Sequence, residues 1–115
     1  MKNQLITILS SFFCCLILTN SIQAQESIFD KLNAIATVDE KVMMPMRDGV
    51  RLASDIYRPK EAGKYPIIFS RTPYNFNSWG DGEQRTRTAK SAYEYVKKGY
   101  AYVVQNERGR FYSEG

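Results

Sequence analysis

Two short apolar runs with a helical stretch between them constrain this chain more than anything else in it. In "YPIIFS" the residues Ile67, Ile68 and Phe69 are contiguous, and "YAYVVQ" carries a second such run from Tyr100 to Gln105. Runs this short without alternation suit strands buried on both faces, as in a parallel sheet. Between them, "DGEQRTRTAKSAYEYVKKG" sets Ala89, Ala92, Tyr93 and Val96 at i, i+3, i+4 and i+7, the spacing of one helix face. Asp81 is the expected cap, with Gln84 three residues on. Lys97 and Lys98 suit the negative end of the dipole, and Gly99 the stop. Strand, crossover helix and strand make a right-handed βαβ unit, so the fold class is α/β.

A hairpin is expected ahead of that unit. In "EKVMMPMRDGVRLASDIYRP", Val42, Met44 and Met46 alternate with Lys41, Met43 and Pro45; after Asp48-Gly49, Val50, Leu52 and Ile56 alternate with Arg51, Ala53 and Asp55. This is the pattern of two half-buried antiparallel strands around an Asp-Gly turn, where aspartate bonds its own backbone. Earlier still, "ESIFDKLNAIA" places Ile28, Leu32 and Ile35 on one stripe after Ser27, a short amphipathic helix or docked arm.

The first 24 residues have a different character. Lys2 precedes an apolar stretch from Leu5 to Leu18, and Ala24 stands before the polar "QES". That order predicts a secretory signal peptide cut after Ala24, since Thr7, Ser10 and Ser11 break a run already short for a membrane span. The expected product is therefore periplasmic or secreted, without a stable membrane anchor. Both cysteines, Cys14 and Cys15, fall within the leader, and the chain has no histidine. The mature segment thus holds no cysteine nucleophile, no Cys or His zinc site and no Ser-His pair. A net charge of +4, lowered by one when Lys2 leaves, does not imply nucleic acid. Neither metal nor organic cofactor is expected.

The division expected is a leader at 1–24, an arm or short helix at 25–40, and the first part of a larger α/β domain at 41–115. A parallel pair needs cover on both faces, and this sequence offers it one good helix. A complete small α/β domain is the alternative, disfavoured because so short a domain buries little surface.

Three phrases in order, "MPMRDGVRLASDIYRP", "YPIIFSRTPYN" and "YAYVVQNERGRFYSEG", resemble the opening of the X-Pro dipeptidyl-peptidase-like serine hydrolases, the group of cocaine esterase, glutaryl-cephalosporin acylase and α-amino-acid ester hydrolase. The resemblance runs from Val42 to Gly115. It implies the N-terminal part of an α/β-hydrolase fold, a Ser, Asp and His triad, and cleavage of ester or amide bonds, acyl or dipeptidyl, through an acyl-enzyme. No Gly-x-Ser-x-Gly occurs here, so every triad member is expected downstream and this segment alone is expected to be inactive.

In that family a tyrosine hydroxyl supplies one oxyanion donor, and the matching position is Tyr74 of "RTPYN". Pro73 has no N–H to offer, and a phenol stays protonated at neutral pH. Without the resemblance, Tyr74 reads as a residue packed after a Pro-initiated turn. Phe76 and Trp79 either wall an acyl or aromatic substrate pocket or pin the loop to the fold. Arg108 and Arg110 are expected to brace loops rather than clamp an anion, with Gly109 and Gly115 turning the chain. Relatives often carry glycine at the position of Phe111. The partner implied is a small-molecule or peptide substrate. A rival reading is a non-catalytic secreted module that binds carbohydrate through Tyr74, Phe76 and Trp79.

Overall fold

The computed structural model describes residues 25–76 and 82–115; residues 1–24, where a leader is expected, together with Trp79 and Asp81 lie outside the described residues. Six elements follow one another: α1 (Ile28–Ile35), β1 (Ala36–Pro45), β2 (Arg51–Pro59), β3 (Ile67–Thr72), α2 (Glu83–Lys97) and β4 (Ala101–Asn106). The strands form one mixed sheet in the order β1-β2-β4-β3. β1 and β2 are the antiparallel hairpin, β2 runs antiparallel to β4, and β3 and β4 are the parallel pair that α2 connects.

Local chemistry sets the helix ends. The Ser27 side chain accepts from the Asp30 N–H at 3.2 Å, and the Asp30 carboxylate accepts from the Ser27 N–H at 3.2 Å. This closes a capping box with aspartate in place of glutamate. At the far end of α2, the Gly99 N–H donates to Val96 O at 2.9 Å and the Tyr100 N–H to Tyr95 O at 3.0 Å, with Gly99 at φ +85°. That bond pair is a Schellman stop, which favours a residue without a Cβ. At the near end the cap position falls on Gly82, not Asp81, and no side chain caps the helix there.

The predicted stripe on α2 faces the sheet. Ala89, Ala92 and Val96 are buried with Leu32, Ala36, Tyr57, Tyr102 and Val104 in one core. Two alanines at the contact let the helix come close, and Tyr57, Tyr102 and Tyr95 fill the space with ring centroids 6.1 and 5.3 Å apart. Burial pushes the phenols of Tyr57 and Tyr102 up, and the Asp55 carboxylate pushes Tyr57 further.

The hairpin turn forms as expected. Gly49 N–H donates to Met46 O at 3.0 Å, Met46 N–H to Val50 O at 2.8 Å, and the Asp48 carboxylate accepts from the Val50 N–H at 3.2 Å. Three features differ from the sequence expectation. The sheet takes in residues 36–40, since β1 follows α1 without a loop. Glu40 and Lys41 form a bulge opposite Asp55, with Lys41 at φ +55° and its N–H donating to Asp55 Oδ1 at 2.8 Å. And β2 is not half-buried: the consecutive residues Leu52, Ala53, Ser54 and Asp55 are all buried, so side chains on both of its faces are covered.

The opposite correction applies to β3. Ile67 is 63 % and Phe69 49 % exposed, so "IIF" is not covered on both faces by the described residues. β3 is an edge strand, and α2 covers only the face that carries Ile68. β4 is the strand that matches its reading, with Ala101 through Asn106 all buried.

Candidate functional site

The carboxyl ends of β3 and β4 point the same way, and two loops leave them side by side. In open α/β sheets this end is where ligands bind. After β3 the chain runs Pro73, Tyr74, Asn75, Phe76; after β4 it runs from Glu107 to Gly115.

The loop after β3 has a held main chain and a free side chain at Tyr74. The Tyr74 N–H donates to Thr72 Oγ1 at 3.1 Å, and its carbonyl accepts from Asn106 Nδ2 at 2.9 Å. Tyr74 is nonetheless 70 % exposed. The packed-tyrosine alternative therefore does not describe it among the described residues. Phe76 does the packing: it is 4 % exposed and joins the core. Its ring pins the loop, while its margin joins Tyr74, Ser70, Thr72 and Thr88 around a cavity of about 220 Å³.

The loop after β4 is folded on itself. Arg110 N–H donates to Glu107 O at 3.1 Å, Ser113 N–H to Arg110 O at 2.9 Å and Gly109 N–H to Glu114 O at 3.1 Å. Beyond the end of β4 this loop continues the ladder along β2, since Glu114 N–H donates to Arg51 O at 3.0 Å and Ala53 N–H to Ser113 Oγ at 3.0 Å. Glu114 also accepts from the Arg51 guanidinium, which together with the Arg51 N–H holds its carboxyl below the usual range. Asp48 is likewise lowered, first by the Val50 N–H and then by Arg108, whose Nη2 lies 2.6 Å from Asp48 Oδ2.

Arg108 thus braces the hairpin turn, as the sequence suggests. An open cleft of about 650 Å³ beside it is lined by Arg47, Arg71 and Arg108 together with Asp48 and Glu107. Arg71 in that cleft is bonded through Nε and Nη2 to Gln105 Oε1, at 3.0 and 2.7 Å. Phe111 takes φ +50° and is 55 % exposed, a left-handed conformation that favours glycine.

Sequence reasoning missed Asn106 by assigning it to the polar loop. It is the last residue of β4, fully buried, and paired in register with Thr72. The available signal was that two amides, Gln105 and Asn106, end an otherwise apolar strand. Among the described residues no group of three or more His, Cys, Asp or Glu could hold a metal ion.

Comparison with known proteins adds the context. Residues 48–115 match the model of the X-Pro dipeptidyl-peptidase (S15 family). Over 80 residues the chain is 46 % identical to cocaine esterase from Rhodococcus sp. (strain MB1 Bresler), covering 69 % of this chain and 13 % of that protein. Among solved structures, an α-amino acid ester hydrolase aligns at TM-score 0.55 and 32 % identity, over 84 % of this chain and 16 % of the other. An aminopeptidase from the marine sediment archaeon Thaumarchaeota archaeon aligns at TM-score 0.52 and 32 % identity, over 84 % of this chain and 15 % of its own. The chain therefore spans about one seventh of the length of these relatives.

Proposed function

Because the chain belongs to the X-Pro dipeptidyl-peptidase (S15) family, we propose that it forms the front of an exported serine hydrolase that cleaves ester or amide bonds. In this reading the nucleophilic serine, the aspartate and the histidine come from polypeptide beyond Gly115. The serine oxygen attacks the carbonyl carbon while the histidine, oriented by the aspartate, takes its proton. Collapse of the tetrahedral intermediate expels the alcohol or amine, which receives that proton, and leaves an acyl-enzyme for water to hydrolyse.

Tyr74 contributes a donor to the negative oxygen of that intermediate, beside the backbone N–H that follows the serine. The observation that carries this assignment is an exposed phenol on a main chain bonded at both its N–H and its carbonyl, in the loop after β3. A main chain held at both groups sets where the phenol starts from and so limits the reorganisation needed as charge develops. Phe76 supports the loop from the core. Trp79, as a wall for the acyl or aromatic part of the substrate, is proposed from its place in the same loop.

The test uses the polypeptide that carries the triad. Tyr74→Phe is expected to lower kcat by about 10²–10³, equivalent to about 2.7–4 kcal/mol of barrier, with little change in Tm. Unchanged turnover overturns the oxyanion assignment. Labelling by a serine-reactive phosphonate separates a hydrolase from a carbohydrate-binding module, which would not react.

A further inference from the structure

Asn106 stands where a strand core would ordinarily be apolar. Ala101, Tyr102, Val103 and Val104 precede it in β4, yet Asn106 has no exposed surface. Buried carboxamides are as a rule hydrogen-bonded, and one left partly unpaired carries a desolvation cost. Here Nδ2 donates to the Tyr74 carbonyl at 2.9 Å, while Oδ1 is buried without a partner among the described residues. Chemistry fixes this orientation, since only the nitrogen can donate to a carbonyl. A leucine at the same place would bury without that cost but could not make the side-chain bond that Nδ2 makes.

That bond falls on the main chain of Tyr74. The opposite side of the same residue is held by Thr72, which lies in register with Asn106 across the parallel pair. The Asn106 carbonyl is in turn fixed by Ser113 Oγ at 3.0 Å, and Ser113 accepts from the Ala53 N–H at 3.0 Å. A buried chain of bonds therefore runs from β2 through Ser113 and Asn106 to the backbone that carries the exposed phenol. Resting on the oxyanion role of Tyr74, we propose that Asn106 is its positioning residue, holding the Tyr74 carbonyl through Nδ2 so that the main chain carrying the phenol is in place before substrate arrives.

The experiment is a double-mutant cycle on the triad-bearing polypeptide with an activated ester as substrate. Asn106→Leu, close in size but without the donor, is expected to lower kcat by about tenfold or more while KM changes less than about threefold. In the Tyr74→Phe background the same change is expected to cost less than about threefold in kcat, because the hydroxyl it positions is already gone. Equal losses in the two backgrounds, or a lower Tm with kcat unchanged, overturn the proposal. If Asn106→Leu does not fold, Asn106→Ser is carried through the same cycle with the same criteria. The failures are distinguishable: Tyr74→Phe without effect removes the oxyanion role itself. A large Tyr74→Phe effect with additive losses removes only the role of Asn106.

Discussion

The loops after β3 and β4 leave the same end of the same parallel pair, yet they are built on opposite plans. The Glu107–Gly115 loop is held by its own main-chain bonds and by carboxylate contacts to Arg51 and Arg108, and its aromatics, Phe111 and Tyr112, are exposed. The described part of the Tyr74 loop is anchored differently. It is held by a hydroxyl, a buried amide and a ring driven into the core. The difference teaches what each loop tolerates: one depends on turn geometry and surface charge, the other on buried anchors that leave a single phenol free.

The largest break in that comparison is expected from Phe76→Ala. Removing a buried ring from the core costs about 3–5 kcal/mol, read as a lower denaturation midpoint, and it releases the Tyr74 loop from its seat. If the midpoint hardly moves, Phe76 is not the anchor. Gly109→Ala strikes the other loop more gently. The residue has φ +68°, and a Cβ there would lie 2.8 Å from Gly115 O, so a loss of about 1–2 kcal/mol is expected. If the proposed hydrolase reading holds, kcat of the triad-bearing polypeptide should be less sensitive to this change than to Tyr74→Phe.

Acid sharpens the comparison with the smallest effect. Asp48 and Glu114 titrate below their ordinary values in the folded protein, so their contacts stabilise the fold above the unfolded carboxylate pKa of about 4. That contribution is lost as pH falls through the lower folded values. Between about pH 6 and about pH 3, amide-exchange protection of Gly109 and Glu114, corrected for intrinsic rate, should fall while that of Tyr74 holds. Parallel loss at all three positions would mean that the loops do not open independently.

The turn at Asp48-Gly49, the helix start after Ser27, the stripe on α2 and its stop at Gly99 were legible because each depends on residues within a few positions of one another. The order of hairpin, strand, helix and strand followed from them. The candidate site was legible in part: Tyr74 was marked by its motif, but the bonds that hold it come from Thr72 nearby and from Asn106, which lies in another strand.

Local pattern and spacing thus determined the elements of this protein and their class, while the residue to watch came from the family resemblance. Tertiary structure alone decided that β2 is buried on both faces while β3 is an edge, that Lys41 bulges opposite Asp55, and that Asn106 is core rather than loop. Apolar content reports that a strand can be buried, but the neighbours that bury it, and the partner a buried amide finds, are set by residues far away in sequence.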